Sequence, residues 1–257
     1  MCRLAAYVGP PRSLHDLWLE PVHSLEVQSY RPRLLDTALL NADGFGMTWY
    51  TEDEEEPARY RTILPLWADE NVRSMARHLV SSCAVANVRS ATVGMPVQLS
   101  NVSPFVEDRW TFTHNGFIRD FHARHARALR EALDDRRYAA IVGNTDSEHL
   151  HAFVMTRLDG LEPGRDPTEV VGGAVREIAA MAGDAAALLN VMVTDGDWLV
   201  ATRHAVNAQA PSLFTRAQHG GVEIASEPLD EDPAWQAVEP GSILTVSPTR
   251  TLTCRPL

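Results

Sequence analysis

The chain begins with Met1 and then a compact apolar run, CRLAAYVG at residues 2–9, followed by Gly9-Pro10-Pro11. Such a run reads as a β-strand closed by a breaker. Cys2 is therefore expected at the first position of a sheet strand, held in place rather than on a loose tail. Once Met1 is trimmed, Cys2 carries a thiol and a free α-amine together. The reference pKa of the amine, ~7.7–8.0, lies below the ~8.5 of the thiol, close enough to neutrality for the amine to act as its base. One residue can then supply nucleophile and base.

The rest of the chain supplies the scaffold. Short apolar runs recur at 46–50, 83–88, 110–114, 188–194 and 198–202, and Thr194-Asp195-Gly196-Asp197 forms a hairpin signal between the last two. Helical periodicity covers 71–80, 120–135, 145–158 and 168–181; the third helix opens on Thr145 with Glu148 three residues on, a capping-box pattern. Strands, then helices, then strands again predict sheets packed face to face with helices outside. The acidic run at 52–56 and the segment 160–167 read as solvated loops, not linkers. With 257 residues, 45% of them hydrophobic, the chain is read as a single domain spanning 1–257.

Charge and cysteine usage narrow the function. A formal net charge of −11 without a basic stripe argues against a nucleic acid partner and toward a small-molecule substrate. No apolar run reaches the ~18–20 residues of a membrane span, and no charged leader with an apolar run follows Met1, so a cytoplasmic protein is expected. Cys2, Cys83 and Cys254 form no paired framework, which fits a reducing compartment. His122 with His125, and His149 with His151, lack a partnering ligand set, so neither a metal nor a cofactor is expected.

Four segments carry chemistry. The first is Cys2 itself. In the second, VRSAT, Arg89 ends a strand beside Ser90 and Thr92, and its planar guanidinium offers a bidentate fork to a carboxylate. The third is FTHNGFI, where the Asn115 side-chain amide and the Gly116 N–H offer two donors to one oxygen. The fourth is GNTDSEHL, where Asp146 lies in the first turn of a helix and can meet either the helix dipole or a ligand ammonium. A carboxylate, an ammonium and an amide carbonyl facing a thiolate together describe a γ-linked glutamyl group.

The ordered set, from the MCR start through VRSAT and HNG to TDSE, resembles the class II glutamine amidotransferases of the N-terminal-nucleophile hydrolase superfamily over roughly residues 1–160. The resemblance implies an α+β, four-layer αββα sandwich of two antiparallel sheets. It also implies Cys2 as nucleophile, Arg89 and Asp146 on the glutamyl α-carboxylate and α-amine, Asn115 with the Gly116 amide as oxyanion hole, and Thr92 in the glutamyl pocket. Larger members place a histidine where this chain has Ser103, a departure that falls on a glutamyl contact.

LNADGFG at 40–46, PLW at 65–67, VRSATVGMP at 88–96 and SEPLD at 226–230 are similar to one subfamily, the γ-glutamyl hercynylcysteine S-oxide hydrolases of ergothioneine biosynthesis. That likeness implies a γ-glutamyl amidohydrolase without a fused synthase; a glutaminase passing ammonia to a separate synthase is the alternative. The hercynyl trimethylammonium suits an aromatic face with an acid nearby. Asp43 and Trp67 are the candidates for that side, with Phe45 and Trp49 in the same segments. Cys83 reads as a small buried hydrophobe and Ser226-Glu227-Pro228 as the brace of a late strand end.

Overall fold

The computed structural model describes residues 1–34, 40–92 and 94–257, so Val93 of the VRSATVGMP run lies outside the described residues. In chain order the first half forms β1 (Arg3–Ser13), α1 (Leu14–Trp18), α2 (Leu25–Tyr30), β2 (Phe45–Trp49), β3 (Ala58–Thr62), α3 (Glu70–Ala76), β4 (Val80–Val88), β5 (Phe105–Glu107) and β6 (Trp110–Ile118). A helical stretch follows: α4 (Phe121–Arg124), α5 (Ala126–Glu131), α6 (Asp135–Ala140), α7 (Asp146–Leu158) and α8 (Thr168–Ala182). The chain closes with β7 (Ala187–Thr194), β8 (Leu199–Arg203), β9 (Ala205–Val206), β10 (Phe214–Gln218), β11 (Gly221–Ala225), β12 (Gln236–Ala237), β13 (Ser242–Val246) and β14 (Leu252–Pro256).

Two sheets result among the described residues. One runs β12-β10-β11-β1-β4-β2-β3; the other runs β14-β13-β8-β7-β6-β5, with β9 also pairing β7. Every ladder is antiparallel. Period-two alternation divides the side chains into three apolar layers. Ala5 and Tyr7 of β1 pack outward with Leu14, Leu17 and Leu25 of the first two helices. Leu4, Ala6 and Val8 point inward and meet Met192, Leu199 and Leu244 of the facing sheet. Phe112 and Ile118 of β6 pack beneath Phe153, Val154, Val175 and Ile178 of α7 and α8. These three interfaces make the four-layer αββα sandwich of two antiparallel sheets that the resemblance implies.

Local chemistry explains where the elements differ from the sequence expectations. Strand β1 does not stop at Gly9-Pro10-Pro11: its register on β4 shifts between Val8 and Arg12 and pairing then resumes at Arg12 with Ser81. A bulge is where a sheet tolerates proline, because the missing N–H falls on an unpaired position. The helix expected over 120–135 is broken at His125 into α4 and α5, with α6 starting afresh behind the Asp134 cap. The helix expected over 71–80 ends at Ala76, and Val80 already belongs to β4. The expected hairpin over Thr194–Asp197 does join β7 to β8. Thr145 caps α7 by accepting the Glu148 N–H at 3.2 Å, but the Glu148 carboxylate turns instead to the Val142 and Gly143 N–H groups at 3.0 and 2.8 Å.

Candidate active site

Strand order brings the four segments to one end of the sandwich. Strand β1 starts where β4 ends, since Arg3 pairs with Val88, so Cys2 lies beside the Arg89-Ser90 segment. The Cys2 thiol points to the Ser90 carbonyl at 3.9 Å. By alternation Cys2 shares the inward face of β1 with Leu4 and Ala6. Across the gap, the Asn87 amide of β4 donates to the Thr113 hydroxyl of β6 at 2.9 Å and locks the two sheets together next to the site.

Arg89 is 5% exposed. Its guanidinium donates to the Asp43 carbonyl at 3.3 Å and forms no ion pair among the described residues. Burial pulls the guanidinium below its usual range, and the opposing fields of Cys2 and Asp43 do not fully offset that. A desolvated cation without a carboxylate is a costly arrangement that an anionic ligand would relieve. Asp43 organises this corner through its backbone and side chain. Its N–H donates to the Arg89 carbonyl at 3.1 Å, and its carboxylate accepts the Ala91 N–H at 2.7 Å.

Asn115 and Gly116 do not form the strand-ending turn that Asn-Gly suggests. Both lie inside β6, opposite Asn190 and Leu189 of β7. Asn115 is fully buried on the face toward the other sheet, and both of its amide atoms lack a partner among the described residues. A buried amide left unpaired in this way costs about 1–3 kcal/mol, which a ligand oxygen at the donor would offset. Gly116 is required by close approach: a Cβ there would sit 1.9 Å from the Leu188 carbonyl oxygen and 2.6 Å from His114 Nε2.

Asp146 opens α7, where the helix dipole favours its charge. One carboxylate oxygen accepts the Ile118 N–H at 2.8 Å and the other its neighbour Ser147 N–H at 2.7 Å. A cavity of about 430 Å³ is lined by Cys2, Arg89, Thr92, Gly116 and Asp146 and continues past Met95, Phe117 and Phe121, while the fully buried Asn115 is not on its wall. Ser103 also lines it, with its hydroxyl 3.1 Å from the Thr113 hydroxyl.

Trp67 is not brought to this cavity. It is 37% exposed and meets Tyr30 edge-on at 5.7 Å. Phe45 and Trp49 belong to the outer core with α1 and α3, and Asp43 braces the Arg89 loop. Three further groups were not singled out by sequence. His114 and Ser147 line the cavity within the HNG and TDSE runs. Glu227 is more than the brace of a strand end: its buried carboxylate accepts Arg3 at 3.0 Å, His23 at 2.8 Å, and the N–H groups of Arg33 and Leu34 at 2.8 and 3.0 Å. Only the recurrence of SEPLD signalled it, because its partners lie about 200 residues away. Among the described residues no group of three or more His, Cys, Asp or Glu side chains could hold a metal ion. No helix there is long and apolar enough to cross a membrane.

Comparison with known proteins gives a consistent family. Residues 19–207 match the family described as glutamine amidotransferases class-II. The chain is 36% identical to the gamma-glutamyl-hercynylcysteine sulfoxide hydrolase of Mycolicibacterium smegmatis, covering 93% of this chain and 92% of that one. It is 35% identical to the protein of the same name from Mycobacterium tuberculosis, over 96% and 93% of the two chains. Among solved structures, a glutamine aminotransferase class-II domain protein from Silicibacter pomeroyi superposes with a TM-score of 0.71 at 26% identity, over 100% of this chain and 99% of that one. The glutamine phosphoribosylpyrophosphate amidotransferase of B. subtilis shares the fold, with a TM-score of 0.64 at 14% identity over 99% of this chain and 49% of the other. The chain is an amidohydrolase and belongs to the class II glutamine amidotransferases of the N-terminal-nucleophile fold.

Proposed function

We propose that this enzyme hydrolyses the γ-glutamyl amide bond of γ-glutamyl hercynylcysteine S-oxide, giving glutamate and hercynylcysteine S-oxide in ergothioneine biosynthesis. The substrate assignment is supported by the two mycobacterial relatives, which match across more than nine-tenths of both chains. The chemistry is supported by one observation above all: a buried Arg89 without an ion-pair partner among the described residues, and the Asp146 carboxylate, line the same cavity as Cys2. Arg89 takes the glutamyl α-carboxylate, Asp146 the α-ammonium, and Thr92 a place on the glutamyl wall.

Removal of Met1 makes Cys2 the terminus. Burial draws the Met1 amine below its ordinary 8.0 despite the fields of Cys2 and Asp43, and an amine freed at Cys2 by trimming would begin in the same buried corner. The amine takes the thiol proton, directly or through one water, and the thiolate attacks the γ-carbonyl carbon. Asn115 and the Gly116 N–H receive the oxyanion, each donor worth about 2.7–4 kcal/mol in comparable holes. The ammonium at Cys2 then gives its proton to the departing nitrogen as the C–N bond breaks, leaving a γ-glutamyl thioester. Water, deprotonated by the same amine, attacks the thioester, and glutamate leaves as the thiol is restored. The leaving group extends past Met95, Phe117 and Phe121, with Asp43 acting on that side through the loop it braces and Trp67, outside the cavity, taking no part.

A glutamate-release assay on γ-glutamyl hercynylcysteine S-oxide and on glutamine, side by side, tests the assignment. The sulfoxide is expected to be favoured by at least about 100-fold in kcat/KM, the size of discrimination a full set of leaving-group contacts supports. Comparable efficiency on glutamine would overturn it.

A further inference from the structure

His114 is 2% exposed and both ring nitrogens are engaged: Nε2 lies 2.8 Å from the Leu188 carbonyl oxygen and Nδ1 2.9 Å from the Ser147 hydroxyl. A carbonyl oxygen only accepts, so Nε2 carries the hydrogen. Burial holds the ring below its usual range against the pull of Asp146, so it is neutral and Nδ1 is bare. The Ser147 hydroxyl is the group that satisfies Nδ1. Its single hydrogen is then directed away from the Asp146 carboxylate, whose nearer oxygen lies at a longer 3.3 Å. Asp146 keeps two backbone N–H donors, from Ile118 and Ser147, and the rest of its acceptor capacity stays open. The other end of the ring lies beside Gly116, where a Cβ would come within 2.6 Å of Nε2.

We infer that His114 is a positioning residue that couples the two halves of the site: through Leu188 it fixes the Gly116 peptide, and through Ser147 it keeps the Asp146 carboxylate free for the substrate ammonium. This rests on the reading of Asp146 as the ammonium partner. A Ser147 hydroxyl turned toward Asp146 would add a third donor to the carboxylate and compete with the ligand. With His114 holding that hydroxyl, the competition is removed before substrate arrives.

The test compares wild type, His114→Phe and the double variant His114→Phe with Ser147→Ala on γ-glutamyl hercynylcysteine S-oxide and on the analogue with a glutaryl group, which lacks only the α-amine. His114→Phe frees the Ser147 hydroxyl to turn to Asp146, so KM for the γ-glutamyl substrate is expected to rise about tenfold or more, the range of one hydrogen bond at a charged group. Removing that hydroxyl in the double variant should return KM toward wild type, and the glutaryl analogue should show no difference in KM between the two variants. Nitrogen-15 NMR of the imidazole should report Nε2–H in the wild type. Equal rises in KM on both substrates, or a ring protonated on Nδ1 alone, would overturn the inference while leaving the Asp146 assignment intact. A wild type that treats the two substrates alike would overturn the Asp146 assignment and the inference with it.

Discussion

Asp146 accepts the Ile118 N–H at 2.8 Å, and this bond ties the first turn of α7 to β6 two residues beyond Gly116. The carboxylate assigned to the ammonium and the backbone assigned to the oxyanion are therefore parts of one rigid corner. Asp146→Asn keeps a hydrogen-bond acceptor for Ile118 but removes the charge. It is expected to raise KM for the γ-glutamyl substrate about 10–100-fold, the cost of losing a charged hydrogen bond, with little change in melting temperature. Steady-state kinetics with a thermal melt check both parts.

Gly116→Ala places a methyl group against the Leu188 carbonyl, backbone that cannot yield without breaking the β6–β7 ladder. Activity is expected to fall by about 10²-fold or more as the oxyanion N–H moves. Stability is expected to fall by about 1–3 kcal/mol from overpacking, read by urea titration.

How much of this corner was legible in the sequence differs residue by residue. Cys2, Arg89, Gly116 and Asp146 each lie at or beside an element boundary or in a short motif, and the structure places all four on one cavity. Asn115-Gly116 carries a local preference for a turn, and pairing with Asn190 and Leu189 overrides it. Helices α1 and α2 are too short for a periodic signal, at 5 and 6 residues, and only their Ser13 and Ser24 caps mark them. The aromatic side chains beyond the glutamyl grip could not be chosen from segments alike in composition. Phe117 faces the cavity and Trp67 packs on Tyr30 for reasons of tertiary packing.

Glu227 and Arg3 form a fully buried ion pair directly behind the nucleophile, with His23 as a third member. Glu227→Gln leaves the Arg3 charge buried without its counterion. A loss of about 3–5 kcal/mol is expected, together with reduced activity, since the β1 backbone next to Cys2 loses its anchor. Chemical denaturation with a parallel glutamate-release assay measures both.

Acid should destabilise the fold through two kinds of group. Burial, reinforced by Arg137 and Arg59, pushes His151 down to about 3, so the unfolded chain takes up a proton near pH 6.5 that the folded chain refuses. Stability from this group is therefore complete above about pH 6.5 and lost as pH falls toward 3, about 2 kcal/mol by pH 5. Glu227 acts at lower pH. Burial alone would raise it, but His23, the Arg33 and Leu34 N–H groups and Arg3 hold it below the carboxylate range, so its contribution is lost as pH drops through that lowered value. Unfolding free energies measured from pH 7 to 4 should decline throughout, and a flat profile between 7 and 5 would contradict the His151 environment.

The most direct measurement of the central claim is glutamate release by the purified enzyme with Met1 removed, set against Cys2→Ala and against a form in which Met1 is retained. Burial pushes the Cys83 thiol up to about 12, so no second cysteine of the core can substitute as nucleophile. The processed wild type should release glutamate and show a transient γ-glutamyl adduct on Cys2 by intact-protein mass spectrometry. Both altered forms should be at least about 10³-fold slower, the scale of losing a covalent nucleophile. Appreciable release by Cys2→Ala, or full activity with Met1 still attached, would contradict the claim that the amino-terminal cysteine is both nucleophile and base.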